Sequence, residues 1–386
     1  MKNILNTTYI CHAFPLKTGL DTETVISVGS RQKSLKNTAY SLSVWGLILL
    51  LTACGGGGGG SGDANPASMT AVHNAQAAMP RVPVVLMASS YAADSAELAA
   101  WNYLQQSRVQ CGFGSLVQNP QLDAAALAHA RYLTSSSVAG SVSVTGHEEI
   151  KGVAGTFTGA MPWDRAQTQG YGAEVAEILD AETWSYSAAS PMVLPTLAQR
   201  GVKSMQHLIN TVYHLSAAMY QGGEVGFAAS LQSIDSAGIR RDEYRFGSLN
   251  GFHKPDATVQ LGTGSLATFP CEGSTGVATT FIPAEERPNP LPEMNLVSQK
   301  VGSPIYLKVD AGQTLVLQTG TVIKAGVAVG TRVLTKANDP AQKIGAHEVF
   351  VIPTVALDAN SVYQINLAGT VDGKPFSRTF NMTTGG

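Results

Sequence analysis

The chain has 386 residues, of which 44% are hydrophobic and 13% charged, with a formal net charge of −2. That length accommodates two ordinary domains with real cores. The near-neutral balance leaves no basic excess to neutralise phosphates, which argues against a nucleic-acid partner, and no acidic run marks a charged one.

Residues 1–30 carry no clear pattern. The run RQKSLKNTAYSLSVWGLILLLTAC (residues 31–54) does. Arg31, Lys33 and Lys36 form a positive n-region, and residues 43–51 an apolar run of signal-peptide length, too short to span a bilayer comfortably. The run ends Leu51-Thr52-Ala53-Cys54, which resembles the lipobox of bacterial lipoproteins, where the Cys becomes the acylated first residue. The glycines from Gly55 to Gly60 follow, which no packed helix tolerates, so export with lipidation of Cys54 is favoured over a buried helix that ends in Cys. Gly55 stands where inner-membrane lipoproteins usually carry Asp, which points to the outer membrane. Residues 1–53 are therefore read as a leader and 54–88 as a flexible Gly/Ala/Pro tether. Cys11 lies in the leader and Cys54 is the lipid site. Cys111 and Cys271 remain, and in an oxidising envelope they read as a disulfide, the alternative being two buried thiols.

Order is expected from about Ser89. Asp94 and Ser95 are N-cap candidates for a helix with Leu98, Trp101 and Leu104 on one face and Gly112 as its stop. Asn119 caps a second helix with Pro120 in its first turn, and Leu122, Ala126, His129 and Leu133 share a face. Helices are expected at 164–169 and 203–220, then strands in GGEVGFAASLQ and DEYRFGSLNG (residues 222–232 and 242–251). The segment IPAEERPNPLPE (residues 282–293) is a linker candidate on its prolines. Beyond it Ile305, Leu307 and Val309 alternate, as do Leu315 and Leu317, and Tyr363, Ile365 and Leu367. Asp372-Gly373 marks a hairpin. About seven short strands of this kind suggest a small β-sandwich.

Familiar catalytic motifs fail. His147 and His347 each begin an HE pair without the second His of a zincin helix, GFGSLV lacks the last Gly of a dinucleotide fingerprint, and no P-loop or G-x-S-x-G elbow occurs. The order of LDAAALAHARYL, GHEEIKG, FTGAMPWDRAQTQGYGAEVAEIL and LINTVYHLSAAM, then GGEVGFAAS, resembles the CAP superfamily (cysteine-rich secretory, antigen 5 and pathogenesis-related proteins), its bacterial branch most closely, over roughly residues 95–250. The resemblance implies an α+β chain: a three-layer α-β-α sandwich over 89–270, a Pro-rich linker over 271–294 and an all-β sandwich over 295–386. The stretch DANSVYQINLAGTVDGKPFSRTFNMTTG (residues 358–385) resembles bacterial Ig-like domains.

The resemblance also implies a cleft. The family's first His falls on His147, its Glu on Glu177 (with Glu174 as runner-up), its second His on His214, and Thr211 stands where animal and plant members often have a second Glu. Two imidazoles and a carboxylate can hold a divalent metal such as zinc or relay a proton, and they can equally form a satisfied buried network. His129 reads as a core histidine, His207, His253 and His347 have no nameable partners, and Trp163 and Trp184 read as packing. Three functions follow: an envelope-anchored CAP-type module that binds a lipid or cell-envelope ligand, ranked first; a cleft hydrolase using the His/Glu set; and a structural envelope protein whose Ig-like domain mediates adhesion. Intact mass of the membrane-extracted protein is expected to show an acylated chain beginning at Cys54, and a Cys54→Ser variant is expected to lose both processing and anchoring.

Overall fold

A computed structural model describes residues 6–7, 10–12, 87–140, 146–190, 192–251, 261 and 265–386. Cys54, nearly all of the expected leader and tether, and His253 lie outside the described residues. The elements run β1 (Asn6–Thr7), β2 (Ile10–His12), α1 (Ala96–Gln110), β3 (Val117–Gln118), α2 (Pro120–Val138), α3 (Pro162–Thr168), β4 (Val175–Ser187), α4 (Leu197–Leu208), α5 (Tyr213–Ala218), β5 (Glu224–Ser236) and β6 (Ile239–Gly251). They continue as β7 (Ala267–Phe269), β8 (Ser274–Val277), β9 (Ile305–Lys308), β10 (Leu315–Lys324), β11 (Val327–Val329), β12 (Thr331–Thr335), β13 (Glu348–Pro353), β14 (Val362–Val371) and β15 (Lys374–Thr384). The class is α+β.

The caps read from the sequence are in place. The Ser95 hydroxyl accepts from the Leu98 N–H at 3.0 Å, and Gly112 leaves α1 at a φ of +83°. Asn119 accepts from the Gln121 N–H at 2.9 Å, with Pro120 opening α2. The helix expected over 203–220 is instead two. Thr211 Oγ1 donates to the Leu208 carbonyl at 3.0 Å, and the Glu286 carboxylate takes the N–H groups of Val212 and Tyr213 at 2.9 and 2.6 Å. Those bonds end α4 and start α5 about a new N-terminus. Thr211 thus lies in the turn before α5.

A six-stranded sheet has the order β1-β4-β6-β5-β3, with β2 also pairing β4. Its longest strands, β4, β5 and β6, are antiparallel. Alternate residues of β4 point to opposite faces. Ala176 and Ile178 join a core with Trp101, Met205, Leu208 and Leu215 from α1, α4 and α5. Val175 and Leu179 join residues of α2 and α3. Glu177 is in phase with the second set.

The remaining strands form a five-stranded sheet, β11-β10-β14-β15-β8, and a four-stranded one, β12-β13-β9-β7. Ile305, Leu307, Val309, Tyr363, Ile365 and Leu367 fill the core they share, as their alternation requires. β7 and β8 arise from residues 267–277, so this part draws on chain ahead of the proline-rich segment. That segment is itself packed: Leu291 and Glu286 are buried.

One apolar cluster runs through both parts, uniting Trp101, Tyr213 and Phe227 with Tyr306, Phe350 and Ile352. The Phe113 and Tyr306 rings stack with centroids 6.0 Å apart. Arg108 is fully buried and donates to the carbonyls of Ala218 at 2.8 Å, Tyr220 at 2.9 Å and Phe113 at 3.0 Å, while burial draws its guanidinium down to about 9. Cys111 and Cys271 form the expected disulfide, Cα atoms 5.3 Å apart across a separation of 160 residues. Replacing both cysteines by Ser is expected to cost about 2–5 kcal/mol in urea unfolding, chiefly through a freer denatured chain.

Candidate functional site

β4 carries Glu177 to the face covered by α2 and α3, where it meets Arg165 of α3, His129 of α2 and two residues of the following segment, His147 and Glu149. Arg165 Nη2 donates to Glu177 Oε1 at 2.9 Å and Oε2 at 2.8 Å, and His147 Nδ1 lies 2.8 Å from Glu177 Oε2. Arg165 Nη1 donates to the His147 carbonyl at 2.9 Å. His129 uses both ring nitrogens: Nδ1 lies 3.1 Å from Glu149 Oε1, and Nε2 lies 3.0 Å from the Gly146 carbonyl and 3.8 Å from Glu177 Oε2. Glu149 also accepts from the Thr158 N–H at 2.6 Å and its hydroxyl at 3.0 Å. The set is sealed, with exposures of 0% for His129 and Arg165, 1% for His147, 2% for Glu177 and 3% for Glu149.

Burial alone would raise the Glu177 pKa. The Arg165 guanidinium, with His129 and His147, outweighs it and holds the carboxyl well below the usual range. Glu149 is likewise depressed, burial being overcome by its bonds from His129 and Thr158. Both acids are therefore carboxylates at neutral pH.

The structure brings His147 and Glu177 together, and separately Thr211 and His214. Thr211 Oγ1, which donates to Leu208, accepts from His214 Nδ1 at 2.8 Å. His214 Nδ1 also lies 3.4 Å from Glu286 Oε1, and its Nε2 is buried with no hydrogen-bond partner among the described residues. No hydrogen bond or ion pair among the described residues joins one pair to the other. Thr211 and Glu286 border a groove of about 560 Å³, whose other wall includes α1 and whose edge includes β8.

A divalent ion such as zinc on His147, Glu177 and His214 does not fit this arrangement. Both Glu177 oxygens face the Arg165 guanidinium, which supplies the positive charge that an ion would bring. Among the described residues, no group of three or more His, Cys, Asp or Glu is placed to hold a metal. Glu174 is exposed. His207 lies 3.8 Å from Asp180, and His347 lies 3.9 Å from Glu348. Trp184 carries the Lys203 ammonium 5.8 Å from its ring centre, and Trp163 is 39% exposed.

Glu149, Arg165 and Glu286 escaped the sequence reading, and His129 counted there as core alone. Glu149 stands two residues past His147, a spacing that signals nothing by itself. Arg165 follows a Pro-Trp-Asp helix start, which reads as capping. Compared with known proteins, the chain matches no family model and no curated sequence.

Glu177→Gln and Arg165→Met are each expected to cost about 3–5 kcal/mol, because each strands a buried partner, and the double variant to cost less than their sum. A depressed folded-state carboxyl contributes stability that is complete above its unfolded pKa of about 4.3 and is lost as pH falls towards the folded value. Acid unfolding below about pH 4 should therefore be shallower in Glu177→Gln than in wild type.

Proposed function

We propose that this chain is an outer-membrane-anchored lipoprotein whose CAP-type domain and Ig-like sandwich act together as a module that binds an envelope ligand, and that the His/Glu set is part of its frame rather than a catalytic centre. The observation that carries this reading is saturation. Glu177 spends both oxygens on Arg165 and His147, His129 spends both nitrogens, and all five side chains are sealed from solvent. A general base needs a vacant lone pair within reach of a substrate proton. Here the carboxylates face cations and N–H donors instead.

Helices on both faces of a sheet, followed by a two-sheet β part, suit the CAP and Ig-like resemblance. The core common to the two parts supports their acting as one body. The lipobox-like run ending at Cys54 supports anchoring, and a membrane is then reached through acyl chains.

The test is turnover. The purified protein, given ester, peptide and glycoside substrates with and without added zinc, is expected to show none, while His147→Ala and His214→Ala lower the melting temperature. A hydrolytic activity that vanishes in both variants, with folding retained, would replace this reading by the cleft hydrolase.

A further inference from the structure

From the groove between α1 and β8 we infer that the ligand is an extended peptide segment bearing a Lys or Arg side chain, laid along the free edge of β8. The inference rests on the binding-module reading and names the partner class.

The edge comes first. Among the described residues β8 is the terminal strand of the five-stranded sheet: it pairs with β15 in parallel, with a bulge at Gly276 (φ +68°), and all of its residues line the groove. Thr275, Gly276 and Ala278 are exposed there. A strand edge presents unpaired N–H and C=O groups that an incoming extended chain can satisfy, with side chains alternating towards and away from the surface.

The facing wall complements it. Gln106 and Gln110 project from α1 into the groove lining, exposed, and neither amide has a hydrogen-bond partner among the described residues. Each offers a donor and an acceptor. Four residues of helix advance about 6 Å, close to the roughly 6.6 Å between alternate residues of a strand. Successive backbone groups on one side of a bound peptide can thus meet the two amides in turn. Cys111 lines the groove, and its disulfide to Cys271 ties the wall bearing Gln110 to the chain leading into β8, so the two walls are held before anything binds.

The charge completes the specification. Glu285, Glu286 and His207 line the groove, and among the described residues no Lys or Arg does. Glu286 is committed to the N–H groups of α5, which leaves the Glu285 carboxylate facing the groove. Burial raises the Glu285 carboxyl against the opposing pull of His207 and Lys300, so this group still gains from a further cation brought next to it. An oligosaccharide could hydrogen-bond these groups through its hydroxyls, but it brings neither a cation for the carboxylate nor a backbone of strand period for the edge.

The experiment pans a displayed library of random heptapeptides against the immobilised full chain, then titrates synthetic copies of the enriched sequences by calorimetry. Enriched peptides are expected to carry Lys or Arg at one fixed position. N-methylation at alternate residues should weaken binding roughly tenfold, the loss of about one backbone hydrogen bond. Glu285→Gln should weaken it by a similar factor and flatten its salt dependence, with an unchanged melting temperature. Failure to enrich any sequence over the bare support, or enriched peptides indifferent to both N-methylation and Glu285→Gln, overturns the inference. If turnover is also absent, the binding-module reading outlives it; hydrolysis of the panel substrates would instead bring down both.

Discussion

The carboxylate of Glu286 fixes how the two parts of this protein meet. It comes from a proline-rich stretch, is buried, and accepts the N–H groups of Val212, Tyr213 and His214 at 2.9, 2.6 and 3.2 Å. The first N–H groups of a helix have no partner within it and carry a partial positive charge, so an anion there both caps the helix and gains from its dipole. With α5 started at this point, its other residues reach the C-terminal sheets. Tyr213 donates to Asp339 at 2.5 Å, and Ser216 donates to Glu348 at 2.6 Å. The position of Thr211, the environment of His214 and one wall of the groove all follow from that cap.

The cluster around Glu177 illustrates how a set of residues with catalytic composition can serve the frame. Moving charges out of water is costly, and the cost is offset only where nearly every donor and acceptor finds a counterpart. Arg165 comes close to that condition: its Nη1 and Nη2 reach the His147 carbonyl and both Glu177 oxygens, while Nε stands 3.8 Å from Glu149 Oε1. The result clamps the segment bearing His147 and Glu149 between α2, α3 and β4. A second buried charge set lies where the two parts join. There the Lys308 ammonium sits 4.7 Å over the Tyr220 ring, and burial draws it down to about 8 against the opposing pull of Glu348. Interfaces that bury charge and a continuous apolar cluster do not hinge freely. A groove bordered by both parts therefore has walls of constant spacing.

Local chemistry was largely legible in the sequence. Ser95 and Asn119 cap because a short side-chain oxygen ahead of an apolar-periodic run has few other uses, and Gly112 stops α1 because that backbone conformation suits glycine. The inward alternation of Tyr363, Ile365 and Leu367 was legible because a strand's period of two is unambiguous when one face is buried, whereas β9, which carries Ile305 and Leu307, is buried on both faces. The Cys111–Cys271 bond could be posed once Cys11 was assigned to an expected leader and Cys54 to an expected lipid site. β4 was not legible, because VAEILDAETWSYS sends acids to both faces, each matched by a partner distant in sequence: Glu177 by Arg165, and Glu182 by Arg200 at 3.3 Å and Lys203 at 2.5 Å.

Neighbouring residues encode the caps, the alternating strands and the mixed class. Long-range contacts set the rest: Arg165 occupies the cation position beside Glu177, Glu286 divides one expected helix into α4 and α5, and β7 and β8 serve the C-terminal sheets. Helix and strand periodicities are written in neighbouring residues, whereas a buried charge chooses its partner by proximity in space. Glu286 lies more than seventy residues from the N–H groups that it caps, and no local pattern encodes that meeting.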